Sequence, residues 1–172
     1  MASPKEERPV AALLVPDIIA LLDESPGDVA AETEELHPAN LADVAEALPR
    51  DRLAELMRAL PADRAADVLE YLDEELRSEL LEALSPRHAA ELMSRMTPDD
   101  RADALEDLEE DRADEILSEI SGEARGETER LLAYEPDTAG GLMTTEIVAV
   151  PEASSVEVAL ENVRAAARAG RK

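Results

Sequence analysis

The sequence predicts an all-α fold, a superhelix or solenoid of short helices, and two observations support this prediction. The first is a twelve-residue pattern that repeats through most of the 172 residues. The second is composition, because hydrophobic residues make up 45% of the chain while aromatic residues make up only 1%. A core of Leu, Ala, Val, Ile and Met suits many short, closely packed helices better than a thick sheet core. Each helix is then stabilised by its neighbours in the stack.

The first element is an apolar stretch at residues 10–22, interrupted by Pro16 and Asp17. It is too short to span a bilayer. The preceding residues, Lys5 to Arg8, have mixed charge, and no convincing cleavage site follows, so a signal peptide is not indicated. We expect a buried first helix within an N-terminal segment of residues 1–36, and a soluble chain without a transmembrane segment.

The repeat begins at His37 and occupies residues 37–133, the predicted superhelical domain. Places 5, 8, 9 and 12 of a unit follow the spacing i, i+3, i+4, i+7, which forms one face of a helix. Places 8 and 9 are apolar in the first seven units, and the eighth unit is degraded. The units are HPANLADVAEAL, PRDRLAELMRAL, PADRAADVLEYL, DEELRSELLEAL, SPRHAAELMSRM, TPDDRADALEDL, EEDRADEILSEI and SGEARGETERLL.

Helix boundaries fall between the units. Pro49 and Pro61 end the preceding helices. A side chain that can cap a helix N-terminus stands first in four units, and in two of them a proline follows at the first helical position. These predicted caps are Asp73, Ser85, Thr97 and Ser121. Met57, Met93 and Met96 lie on the apolar face, so we interpret them as core residues.

The repeat stops before residue 134, and the last predicted region covers residues 134–172. The pair Gly140-Gly141 indicates a linker. Residues 146–150, Glu-Ile-Val-Ala-Val, predict a short strand, and Ser154 or Ser155 can cap a helix from Val156 to about Arg168. One strand and one helix cannot close a core. This region therefore belongs to a longer protein or needs a partner.

The net charge and the residue types of the chain argue against several classes of function. The formal net charge of −25 disfavours nucleic acid and anionic membrane surfaces and attracts cations, including divalent ones. Solubility or adaptation to high salt is an equally open explanation of that charge. The chain has no Cys, which excludes disulfides, zinc–thiolate sites and thiol nucleophiles. No nucleophile–base pairing or phosphate-binding glycine loop is present, so we do not predict an enzyme.

Two motifs carry a resemblance to a known family. The segment Leu36-His-Pro-Ala-Asn-Leu-Ala42 opens the repeats, and Ala139-Gly-Gly-Leu-Met-Thr144 follows them. Together they resemble MgtE-type magnesium transporters. The repeats look like the superhelical N domain of that family, and residues 142–168 look like the opening strand and helix of the CBS domain that follows it. The resemblance therefore implies a cytosolic N domain with an incomplete CBS domain.

The resemblance implies a function as a cytosolic magnesium-sensing regulatory domain. In the family, Mg²⁺ favours docking of the N domain on the CBS domain and closes a dimeric channel. The positions that match the family's N-domain acids are Asp67, Asp99 and Asp103. The implied partners are the CBS and membrane domains of the same transporter and a second copy in the full-length context, at the cytoplasmic side of the membrane. Mg²⁺ binding would be weak and shared with the CBS domain.

The repeat offers a plainer explanation of the same acids. Place 7 is acidic in all eight units, so Asp67 and Asp103 follow the repeat pattern and point away from the apolar face. Asp99 lies in a first helical turn, where the helix dipole favours an acid. The alternative function is a protein-interaction scaffold that resembles the helical repeats of the flagellar motor switch protein FliG. That alternative leaves the Ala139–Thr144 motif unexplained.

Overall fold

The computed structural model describes residues 9–135, 138–145 and 147–168 of the chain. The regular elements within these ranges are all helical, which confirms the predicted all-α class. They are α1 (Pro9–Glu24), a 3₁₀ turn (Pro26–Asp28), α2 (Val29–Glu32), α3 (Pro38–Ala47), α4 (Arg50–Ala59), α5 (Ala62–Tyr71), α6 (Glu74–Ala83), α7 (Pro86–Met93), α8 (Pro98–Glu106), α9 (Glu110–Glu119), α10 (Gly122–Leu131) and α11 (Val156–Arg168).

The twelve-residue unit corresponds to one helix and its connection. Each helix from α3 to α10 begins at the second place of its unit. The eighth place is buried in all eight units, including the degraded one, where Thr128 occupies it. The predicted core methionines Met57, Met93 and Met96 are buried as well. The 3.6-residue periodicity therefore identified the face of each helix that packs into the core.

The helix caps agree with the sequence at two of four positions. Asp73 and Ser85 accept hydrogen bonds from the backbone N–H groups of Leu76 and His88, at 2.9 and 3.4 Å. The caps predicted at Thr97 and Ser121 are wrong, since neither side chain caps its helix. The Thr97 hydroxyl donates to the carboxylate of Asp100 at 2.6 Å and accepts no hydrogen bond from the first turn of α8.

Helices two apart in the chain form the main contacts, so the helices stack in two rows. The first row contains α1, α3, α5, α7 and α9, and the second contains α4, α6, α8 and α10. This is the predicted superhelix, in which a helix of two to three turns gains its stability from the helices beside it. The core is a continuous cluster of Leu, Val, Ile, Ala and Met side chains from α1 to α9.

The first helix is amphipathic rather than buried on all sides, which corrects the expectation for residues 10–22. Ala11, Ile18 and Leu22 face the core, whereas the Leu13 side chain is 75% exposed. The reason is geometric, because α1 lies at one end of the row and has neighbours on one face only. Within the described residues, no helix combines the length and the hydropathy that a bilayer crossing requires.

After the repeats, the described residues contain the predicted helix but not the predicted strand. Helix α11 has the predicted bounds, and the Ser155 hydroxyl accepts a hydrogen bond from the Val158 N–H at 3.3 Å. The strand expected at residues 146–150 is absent from residues 147–150, while Glu146 lies outside the described residues. A strand needs a neighbouring strand for its backbone hydrogen bonds, and residues 147–150 have none. The division of the chain into residues 1–36, 37–133 and 134–172 stays a prediction. The assignment of residues 142–168 to the opening strand and helix of a CBS domain also stays a prediction.

Candidate functional site

A dense set of carboxylates lies on and just after α8. We call the set Asp99, Asp100, Asp103, Glu106 and Asp107 the α8 acidic face. Pro98 begins this helix, and its apolar side, with Ala102, Ala104 and Leu105, is buried. The acids are consequently held on the opposite side, where positions three and four apart are neighbours.

Partial removal of water and the charges of neighbouring carboxylates raise the pKa of two acids in this set. The pKa of Asp103 is raised above its ordinary value, first by partial removal of water and then by the charges of Asp100, Asp107 and Asp99. Arg77 acts in the opposite direction but does not cancel the effect. The pKa of Glu106 is raised too, by partial removal of water and by the charges of Asp103 and Asp107. The arrangement thus favours a proton or a cation at these carboxylates.

Asp107 connects the α8 acidic face to the neighbouring helix α6. Arg77 on α6 forms an ion pair with Asp107, and both side chains are mostly buried. An open groove begins beside this pair and is lined by Ser78 and by six acids: Asp73, Glu74, Glu75, Glu79, Glu82 and Asp107. The negative surface therefore continues from α8 across α6.

The three residues predicted as metal ligands occupy two different helices. Asp99 and Asp103 lie four apart on α8, whereas Asp67 lies on α5 in the other row of helices. Asp67 and Asp99 are half-buried, and Asp103 is exposed. Within the residues that the structure describes, no group of three acids or histidines is close enough to hold a metal ion. Two of the three predicted ligands therefore lie on one face of α8, and the third lies on another helix.

The carboxylates of Asp67, Asp99 and Asp103 are of the type that a weakly held hard cation prefers, but within the described residues they do not form a complete metal site. Carboxylate oxygens are the ligands that Mg²⁺ prefers, and Mg²⁺ commonly keeps several waters and uses only one or two carboxylates. Partial removal of water and then the charges of neighbouring carboxylates raise the pKa of Asp103, and a divalent cation would relieve the part that is due to repulsion. Because the chain's own acids form no enclosed site in the described residues, further ligands must come from water or from another domain.

One contact of Asp99 was not predictable from the sequence. The Thr144 hydroxyl donates a hydrogen bond to Oδ1 of Asp99 at 3.1 Å, across 45 positions of the sequence. Asp100, Glu106 and Asp107 were also not predicted as members of the site. The density of acids on α8 was a signal for these three, since each lies three or four positions from Asp99 or Asp103.

Comparison with known proteins places the chain among magnesium transporter domains. Residues 36–137 match the model of the MgtE intracellular N domain. A crystal structure of the soluble part of a magnesium transporter is similar with a TM-score of 0.82 and 25% identity, over 92% of this chain and 63% of that one. The cytosolic domain of the Mg²⁺ channel MgtE, solved in complex with ATP, is similar with a TM-score of 0.76 and 33% identity, over 91% and 64%.

The chain accordingly spans less than two thirds of the length of either solved structure. Among curated proteins the comparison finds no match.

Proposed function

The chain belongs to the family of MgtE intracellular N domains, and from this premise we propose that it is the magnesium-sensing regulatory domain of an MgtE-type transporter. Its place would be the cytoplasmic side of the membrane, joined to CBS and membrane domains and paired with a second copy in the full-length protein. The magnesium transporter structures to which it is similar support this assignment. They favour it over the FliG-like scaffold and over an enzyme.

The observation that carries the proposal is the α8 acidic face. The pKa values of Asp103 and Glu106 are raised, first by partial removal of water and then by the charges of neighbouring aspartates. A second negative surface brought against this face would add repulsion. We propose that Asp99 and Asp103, together with Asp67 on α5, bind Mg²⁺ weakly, and that the ion's charge permits docking of this domain on a CBS domain.

In this mechanism the residues of the chain act as a charge-dependent contact surface. The buried side of α8 fixes the helix, so Asp99 and Asp103 remain on one face whether or not metal is bound. Without a cation their charges favour separation of the domains, and with one they favour the docked arrangement. The ligands missing from the α8 acidic face would be supplied by water and by the docked domain.

A magnesium titration of a longer protein, in which the chain is followed by a complete CBS pair, tests this proposal. We expect small-angle scattering to show compaction at millimolar Mg²⁺. The combined variant Asp67→Ala, Asp99→Ala and Asp103→Ala should compact only at higher concentrations. A control with the same change in charge, Glu91→Ala, Asp114→Ala and Glu119→Ala, alters exposed acids elsewhere and should respond like the parent. Equal responses of the two triple variants would show that the site assignment is wrong.

A further inference from the structure

The motif after the repeats has a defined structure that the proposed function does not use. We call residues 138–145 the Gly-Gly segment. The Thr138 hydroxyl donates to the Glu135 carbonyl at 2.7 Å and accepts a hydrogen bond from the Gly141 N–H at 3.3 Å. The Leu142 N–H donates to the Thr138 carbonyl at 3.0 Å. These bonds fold the segment into a compact turn, which differs from the flexible linker that a Gly-Gly pair suggests.

A glycine is required where the Gly-Gly segment meets the end of the repeats. The Tyr134 ring lies against Gly140, so that a Cβ atom at this position would stand 2.6 Å from Cγ of the ring. Carbon atoms do not approach so closely without displacement. Gly140 therefore permits a contact between its backbone and the Tyr134 ring that a residue with a Cβ atom would push apart. This contact holds one side of the Gly-Gly segment against the end of the repeats.

The other side of the Gly-Gly segment contacts the α8 acidic face. The Thr144 hydroxyl bonds Oδ1 of Asp99, one of the carboxylates assigned to Mg²⁺ above. An ionised carboxylate keeps further lone pairs, so a cation can bind Asp99 while this hydrogen bond is present. A cation on the carboxylate nevertheless draws negative charge away from Oδ1 and repels the hydroxyl proton. Metal binding therefore weakens the Thr144 contact.

We propose that the Thr144–Asp99 hydrogen bond is a cation-sensitive contact that couples the metal site to the region after the repeats. It holds the Gly-Gly segment on α8 while Asp99 carries no metal, and a divalent cation bound by Asp99 releases the segment. The inference rests on the proposed role of Asp99 in Mg²⁺ binding. The inference adds what Mg²⁺ binding changes within this chain, namely how far α11 can move relative to the repeats.

Distance measurements between two spin labels on the 172-residue chain test the proposal. The chain has no Cys, so Glu119→Cys on α9 and Glu161→Cys on α11 introduce two unique, exposed labelling positions. Thr144→Val removes the donor and keeps the shape of the side chain. Thr145→Val is the matched control, since no hydrogen-bond partner for the neighbouring Thr145 hydroxyl exists among the described residues. Backbone amide signals of α8, followed by NMR during the Mg²⁺ titration, report metal binding separately.

Without metal we expect Thr144→Val to raise the population of displaced α11 about tenfold, as loss of one hydrogen bond to a charged acceptor implies. Thr145→Val should match the parent. Gly140→Ala, which forces the Tyr134 ring away, should displace α11 as Thr144→Val does. Saturating Mg²⁺ should give the parent the distribution of Thr144→Val and leave that variant unchanged.

Two results would overturn the inference. Identical distributions for the parent and Thr144→Val without metal would show that the hydrogen bond holds nothing. An α8 amide response to Mg²⁺ with unchanged label distances would leave the proposed metal site intact and remove only the coupling. If the α8 amides do not respond to Mg²⁺, Asp99 binds no cation in this chain and the coupling is wrong, whereas the docked site is tested separately by the scattering experiment on the longer protein.

Discussion

At the scale of single residues, α8 buries one charged side chain and keeps others at the surface. Arg101 on α8 is only 2% exposed, and it donates to the Thr128 hydroxyl at 2.6 Å and to the carbonyls of Met96 and Ala124 at 3.2 Å. A guanidinium group can satisfy several acceptors in fixed directions, so it is tolerated in a core where a lone charge would not be. Arg101 holds α8 to α10, while Asp99 and Asp103 on the same helix remain at the surface.

The raised pKa of Asp103 leads to a prediction about stability and pH. In the folded chain Asp103 binds its proton more tightly than its ordinary pKa of 3.8 allows, so its charge at neutral pH opposes folding. The folded state therefore binds more protons between 3.8 and the raised pKa, and stability falls as pH rises through that window. We expect Asp103→Asn to be more stable than the parent at pH 7 and to lose that advantage as pH falls below the window.

Urea unfolding followed by far-ultraviolet circular dichroism, repeated across that pH range, measures the effect. Asp114→Asn is a suitable control, since Asp114 is exposed on α9 and outside the α8 acidic face. A stabilisation by Asp103→Asn that does not depend on pH would mean that charge repulsion is not its cause.

At the scale of elements, contacts across the superhelix repeat with the unit. Arg64 donates to the carbonyls of Thr33 and Leu36, and Arg112, four units later, donates to those of Leu81 and Leu84 at the same sequence separations. Glu46 and Glu70 also form equivalent contacts, but toward later units. Each accepts a hydrogen bond from the backbone N–H just before the helix three units on, that of Asp73 for Glu46 and that of Thr97 for Glu70. These side chains satisfy helix-end groups that the short helices leave unpaired.

Removal of one such arginine should loosen a helix end at a distance. Arg112→Ala deletes hydrogen bonds of 2.8 and 2.5 Å to the Leu81 and Leu84 carbonyls, at the C-terminus of α6. We expect a loss of about 1–3 kcal/mol in the free energy of unfolding, the usual cost of leaving such acceptors unsatisfied. Native-state hydrogen exchange should accelerate in the last turn of α6, 28 to 31 positions away.

The control for this prediction is Arg87→Ala, which removes an exposed arginine in the first turn of α7. Loss of a surface charge of this kind changes stability by less than about 0.5 kcal/mol. A comparable effect of the two substitutions would mean that the Arg112 hydrogen bonds contribute nothing beyond charge.

At the scale of the whole molecule, the net charge of −25 acts against compaction. The buried core is apolar and spread along the stack, while the acids lie outside it on both rows of helices. The molecule is thus a rigid stack under electrostatic self-repulsion. Any cation lowers that repulsion by screening, whereas only an ion at defined carboxylates does so at low concentration.

This difference predicts two salt responses of the chain. Sodium chloride added from about 0.01 M to about 0.1 M shortens the screening length from about 30 Å to about 10 Å, so we expect the Tm to rise. Magnesium chloride at equal ionic strength should raise it further. Asp99→Asn combined with Asp103→Asn should reduce the extra effect of magnesium but keep the response to sodium. Equal effects of the two salts on the parent, measured by thermal unfolding, would contradict a defined site.

The sequence by itself determined the helices, their order and their buried faces. The helical period and the prolines are local signals, and local signals suffice because each helix and its turn fit in one unit. Asp99 and Asp103 were predicted from the resemblance to the MgtE family, and their spacing of four positions places them on one face of α8. The sequence also predicted two caps and a strand that the described residues do not form. The residue type alone does not make Thr97 or Ser121 a cap, and a strand needs neighbouring strands from elsewhere in the chain.

Only the tertiary structure decided which distant residues meet. The Thr144–Asp99 hydrogen bond joins positions 45 apart, and the burial of Arg101 depends on the later helix α10. Asp67 likewise differs from Asp99 and Asp103 by lying on α5, in the other row of helices. Such pairings follow from the stacking angle and register of the superhelix, which arise from the summed packing of all its helices. No twelve-residue segment contains that information.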